Sequence, residues 1–119
     1  MAWNPPRGIF GPQVINADMN SGAILPPLGT SMFIICNAVL NAGVLPSLTI
    51  GIQWSHDGGL TWANGDPVTD QRFSAFSAMT ATAVKCKEFA IAGTLYRLTF
   101  DISGVGANFT VTMSEYTTV

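Results

Sequence analysis

The sequence predicts an all-β protein, an antiparallel β-sandwich or jelly roll of about eight short strands with an extended N-terminal arm. Three observations lead there. Apolar and polar residues alternate with a period of two wherever a period is legible. The alternating runs are short, and clusters of Gly, Pro, Asn and Asp separate them. The 119 residues suffice for one core, and two domains would each be too small. The expected division is an arm over residues 1–12 and a single β-sandwich domain over residues 13–119.

In the arm, Pro5, Pro6, Gly8, Gly11 and Pro12 surround Trp3, Ile9 and Phe10. Prolines fix φ and remove donors, so this stretch is expected to be extended and to form no regular element. Three large apolar groups on such an arm need a place to bury. Two readings stand: the arm folds over its own core, or it reaches onto a neighbouring subunit with Trp3, Ile9 and Phe10 as interface anchors. On the second reading, removing the first twelve residues abolishes assembly and leaves the domain folded.

Beyond the arm, strand candidates are Gln13 to Ala17, Gly22 to Leu25 and Met32 to Val39. Leu48, Ile50, Ile52 and Trp54 then point one way while Thr49, Gly51, Gln53 and Ser55 point the other, as in a half-buried strand. Val84 to Ile91 follows. Tyr96, Leu98, Phe100 and Ile102 repeat the alternation, and Phe109, Val111 and Met113 alternate with Thr110, Thr112 and Ser114. Ser103-Gly104-Val105-Gly106 between these last two runs is expected to be the turn of an antiparallel hairpin. Asp70 to Thr82 carries Phe73, Phe76 and Met79 at helical spacing after a candidate N-cap, but Thr80, Thr82 and Val84 restore β alternation. It is read as a loop leading into a strand.

Composition narrows the function. Apolar residues are 48% of the chain and charged ones 10%, against about 25% charged in an average soluble domain. Disorder needs the opposite balance. Five Lys plus Arg and a net charge of −2 argue against a nucleic-acid partner or an electrostatic membrane-surface role. The apolar stretch Met32 to Ile52 is interrupted by Asn37, Asn41, Gly43 and Pro46, which fits two strands and a turn better than a membrane span. The N-terminus shows no pattern of an export signal. Few charges to coat its surface suggest a chain that completes itself by oligomerising.

Cys36 and Cys86 match no metal-ligand spacing. Cys36, in an apolar run, is expected to be a buried inert thiol, whereas Lys85 and Lys87 flank Cys86 and are expected to depress its pKa and make it reactive. By count the two could form a disulfide, but nothing in the sequence shows that they meet, and the lack of an export pattern favours a reducing compartment.

The sharpest local motif is Ser55-His56-Asp57-Gly58-Gly59-Leu60-Thr61-Trp62. It fits S-x-D-G-G-x-T-W and resembles the Asp-box hairpin of sialidase propellers. The resemblance implies that Asp57 accepts backbone N–H bonds across a tight turn, that Gly58 and Gly59 supply positive φ, and that Trp62 packs beneath, with Ser55 and Thr61 completing a structural hairpin. The motif occurs once, and 119 residues cannot build a propeller, so sialidase activity does not follow.

No catalytic constellation is legible. His56 is the sole histidine and sits in that turn, and no nucleophile elbow, phosphate loop or H-E-x-x-H occurs. Asn64, Asp66 and Asp70 offer hard oxygens for calcium, but their spacing matches no EF-hand and turns attract such residues anyway. The expectation is a protein that is not an enzyme and has no catalytic, cofactor-binding or metal-binding residues.

A wider resemblance runs from about Ser31 to Tyr116. It comprises an apolar strand, the I-x-W-S-x-D-G-G-x-T-W hairpin, Asp70-Gln71-Arg72-Phe73, and a block formed by Lys87, Phe89, Ile91, Gly93, Leu95, Tyr96, Arg97 and Leu98, closed by an F-T-V-T-M strand. This looks like the small β-sandwich structural proteins encoded beside head genes of tailed bacteriophages. The resemblance implies a capsid decoration or cement protein of the virion, assembled in the host cytoplasm, with the major capsid protein or other virion proteins as partners and a homo-oligomer, trimer or dimer, as its state. Alternatives are a tail, baseplate or fibre-associated sandwich, or a glycan-binding module presenting Trp54, Trp62 or Tyr116.

Overall fold

The computed structural model describes residues 6–66 and 70–117. The protein is all-β, an antiparallel sheet of five strands: β1 (Arg7–Ile15), β2 (Met19–Asn20), β3 (Ser31–Ser55), β4 (Ala83–Ala90) and β5 (Leu95–Tyr116). Its order is β1-β5-β3-β4, with β2 also paired to β5. Among the described residues a single 3-10 turn, Gln71–Phe73, interrupts the loop before β4.

Two long strands replace four of the expected short ones. β3 runs through both Met32–Val39 and Leu48–Ser55, and β5 runs through both Leu95–Ile102 and Phe109–Ser114. Ser103 to Gly106 is therefore not a hairpin turn. The segments flanking it pair with opposite halves of β3, from Phe33↔Tyr116 to Ser55↔Leu95, and register shifts gather between Leu40 and Ser47. The residues that suggested turns instead bend a continuous ribbon. At that bend Gly43 has φ +135°, and a Cβ there would lie 2.7 Å from the Cα of Ala107. Opposite it, Gly104 has φ +106°, and a Cβ would lie 2.8 Å from the carbonyl oxygens of Val44 and Leu45. Neither site has room for a side chain.

The N-terminal expectation also needs correction. From Arg7 onward the arm is strand, with Arg7↔Glu115, Gly8↔Ser114 and Phe10↔Met113 paired to β5, so β1 crosses the expected boundary at residue 12. Proline is tolerated because β1 is an edge strand and Pro12 falls in a register shift between Phe10 and Gln13, where a missing N–H breaks no ladder. Ile9 and Phe10 pack on this chain's own core, with the Phe10 ring centroid 4.6 Å from that of Phe100. Trp3 lies outside the described residues. Deleting residues 1–12 thus removes most of an edge strand, not a dispensable arm. The candidate strand at Gly22 to Leu25 reduces to a single bridge, Ile24↔Tyr96.

The core lies between the two halves of the ribbon. Met32, Ile34 and Cys36 face inward from one half, and Leu48, Ile50, Ile52 and Trp54 from the other. Side chains of the two halves meet directly: Phe76 beside the second half stacks edge-on against Phe89 of β4 at 5.4 Å, and the Tyr96 hydroxyl donates to Glu115 Oε2 at 2.9 Å. Glu115 is only 2% exposed, and its other oxygen is ion-paired to Arg7 and accepts no further hydrogen bond. Arg7 in turn donates to the Leu25 carbonyl at 2.6 Å, which ties the first strand to a loop. Burial pushes the Tyr96 phenol up, with Arg7 pulling weakly the other way, so the phenol stays protonated and donating.

Candidate functional site

The Ser55–Trp62 hairpin closes on side-chain bonds from within its own eight residues. Asp57 Oδ1 accepts from the Thr61 amide at 2.9 Å and from Ser55 Oγ at 2.8 Å, while Thr61 Oγ1 donates to Asp57 Oδ2 at 2.5 Å. Gly58 and Gly59 have φ of 75° and 93°. The Gly59 amide donates to Ser55 Oγ, and Trp62 Nε1 donates to the Gly59 carbonyl at 3.1 Å. These bonds, those from Thr61 first, hold the Asp57 carboxyl down at about 2. The carboxylate is consumed by the turn. His56 stands exposed beside it.

From Trp62 the chain returns along β3, with Ala63 bridged to Trp54, and then forms one wall of a cleft of about 370 Å3. The floor is the outward row of the second half of the ribbon: Thr49 opposite Asp101, and Gly51 opposite Thr99. The rest of the lining includes Asn64 and Gly65, the latter packed against the Phe73 ring, with Ser74 and Ala75. Gly51 keeps the floor open, since a Cβ there would lie 2.9 Å from Thr99 Oγ1 and 3.6 Å from the Ala75 Cβ. Asp70 fixes the Phe73 wall: it caps the 3-10 turn by accepting from the Arg72 amide at 2.9 Å and binds the Arg72 guanidinium through both oxygens. The Arg72 bonds hold its carboxyl below the usual range. Beyond the cleft, Arg97 lies 4.7 Å over the Trp62 ring and donates to Gln53.

The outer face of the other half is different in kind. Successive cross-strand rows place Val14, Thr110 and Val39 together, then Thr112, Asn37 and Val84, then Gly8, Ser114, Ile35 and Cys86, then Tyr116, Phe33 and Glu88. Glu88 is the one charged residue in these rows, and Ser31 Oγ donates to it at 2.8 Å. Val84 is 68% exposed, Val14 49% and Val39 43%.

Strand geometry also corrects the view of the cysteines. Cys86 is on this outer face, 3.3 Å from the Tyr116 hydroxyl, while its neighbours project to the opposite face, where Lys85 donates to Ser77 and Lys87 to the Gln71 carbonyl. The lysines do not flank the thiol in space. Both cysteines are free, and burial pushes the Cys36 thiol up to about 11.

Of the aromatic residues offered as a glycan platform, Trp54 is buried, Trp62 is covered by Arg97, and Tyr116 stacks on Phe33 with ring centroids 5.7 Å apart. Of the candidate calcium ligands, Asp70 is engaged by Arg72, and among the described residues no group of three or more His, Cys, Asp or Glu side chains converges. No helix among the described residues is long and apolar enough to cross a membrane. The cleft residues Thr49, Gly51, Phe73, Thr99 and Asp101 were not singled out by sequence, where only the glycine interrupting an outward polar row hinted at them. No family model matches the chain, and neither curated proteins nor solved structures give a match.

Proposed function

We propose that this chain is a non-enzymatic virion structural protein of the capsid decoration or cement type, with the two halves of its bent sheet serving as the layers of a small β-sandwich. The observation that carries the reading is the outer face of the half containing β1 and β4, where four rows of side chains present Val, Thr, Ser and aromatic groups and a single carboxylate. Docking such a face desolvates few charges, so burial contributes without the cost of stripping water from ions. The likeness of the Ser31–Tyr116 blocks to phage head-associated sandwiches supports the same reading. The partner is the major capsid protein, with further copies of this chain completing a dimer or trimer.

The mechanism is passive. A protein that binds only the assembled shell stabilises it by mass action, and needs no cofactor. The test is mass spectrometry of purified, fractionated virions together with native mass of the chain at micromolar concentration, for the wild type and for Val39→Lys with Val84→Lys. The reading expects the chain in the head fraction, and an oligomer that the lysines split into folded monomers. Recovery with tails instead moves the protein to the tail or baseplate. Absence from both fractions overturns the proposal.

A further inference from the structure

We infer that the cleft over Gly51 is a saccharide-binding site for a neutral pyranose unit. It stands apart from the docking face, on the outward side of the other half of the ribbon, and does not depend on the virion reading. Its volume of about 370 Å3 is at the small end of the range for ligand sites. What fills it must match its lining.

Five polar side chains line this space; the Ser74 hydroxyl is taken up by the Gln71 carbonyl, which leaves four, the Thr49 and Thr99 hydroxyls, the Asn64 amide and the Asp101 carboxylate. Three charged groups nearby are engaged, Arg97 by Gln53, Asp70 by Arg72 and Asp57 by Thr61. The four in the cleft make no hydrogen bond or ion pair among the described residues. Hydroxyls and an amide both donate and accept, and a carboxylate accepts from two neighbouring hydroxyls with charge-assisted bonds. Phe73 supplies an apolar wall against which the C–H face of a sugar ring packs. No cation lines the cleft, and Asp101 repels anions, so phosphates and acidic sugars are disfavoured. A ring rich in hydroxyls, uncharged, with one apolar face fits the whole lining. Gly51 is the specificity element, because a side chain there would close the floor.

The experiment is an amide NMR titration of the full chain with the methyl glycosides of glucose, galactose, mannose and N-acetylglucosamine, and with ethanolamine as a cation lacking a ring. The expected result is that at least one glycoside shifts the amides of Gly51, Gly65, Thr99 and Asp101, saturating with a millimolar dissociation constant, about the strength a few hydrogen bonds and one ring contact give. Asp101→Ala, at an exposed position, and Thr99→Val, an isosteric change at a half-buried one, should each weaken it by about tenfold, and Asp101→Ala should leave the thermal midpoint unchanged. Phe73→Ala is the less clean variant because Phe73 also packs on Gly65. The inference is overturned if no glycoside shifts those amides up to about 50 mM, if ethanolamine shifts them as strongly as the sugars, or if Asp101→Ala and Thr99→Val bind as well as the wild type.

Discussion

Replacing Arg7 with methionine keeps the aliphatic stem and removes the guanidinium that faces a buried carboxylate. Glu115 is 2% exposed, Tyr96 is fully buried, and Arg7 is about half exposed at 51%. Breaking a fully buried pair from one side costs about 3 to 5 kcal/mol, because the remaining charge is stranded. Here the cation sits at the surface, so water reaches part of the space it leaves, and Tyr96 still donates to the other oxygen. The loss is therefore expected below that range, at about 2 to 3 kcal/mol, a large share of the roughly 5 to 15 kcal/mol that holds a domain together. The assay is urea unfolding at neutral pH, followed by tryptophan fluorescence. Arg7→Met should lower the midpoint without changing the slope, and adding Glu115→Gln should recover more than about 1 kcal/mol, since the stranded charge is gone. A loss below about 0.5 kcal/mol, or a double variant no better than the single, refutes the argument that this pair locks β1 to the sheet.

Other expectations follow from the same geometry. Asp57 is held at about 2, below its ordinary 3.8, so its contribution to stability is complete above 3.8 and is lost as pH falls toward 2. Thermal midpoints of Asp57→Asn and wild type should therefore converge across that window and separate above it. Gly104→Ala drives a Cβ toward two carbonyl oxygens at 2.8 Å in a left-handed backbone, and should cost at least about 2 kcal/mol in chemical denaturation. Iodoacetamide at pH 8 should modify Cys86 in the native protein and reach Cys36 only in urea, a difference read by intact mass. Modification of both thiols in the native state would contradict the burial of Cys36.

The hairpin was legible because its hydrogen bonds close among eight consecutive residues, each of a type the turn requires. The alternation in Leu48–Ser55 and Leu95–Ile102 was legible because each run buries one side only. Strand continuity was not. Gly43, Pro46, Gly104 and Gly106 carry the composition of turns, and the same residues serve a bend in a long ribbon, where only pairing partners distinguish the two. β1 was hidden for a related reason, since prolines that would exclude a central strand are harmless at an edge. The cleft draws Gly51, Phe73 and Asp101 from three distant segments, so no local pattern announces it. The unlike faces of the two halves are likewise visible only once register sets which side chains share a row.

The position of β5 between β1 and β3 governs how the chain reaches its fold. Phe33 pairs with Tyr116 and Arg7 with Glu115, so partners for the earliest strands are supplied by the last one made. While the ribosome works toward Tyr116, β1 and the first half of β3 lack the strand they will share, and the pairings available are β3 with β4, the second half of β3 with the first half of β5, and β2 with that same part of β5. Sheet closure thus waits for the end of β5, and a topology so dominated by distant pairings belongs among folds that form in about milliseconds to seconds. During that interval the apolar strand Met32–Val39 is open along the edge that β5 will occupy, which makes the yield of this protein depend on how quickly its final strand arrives.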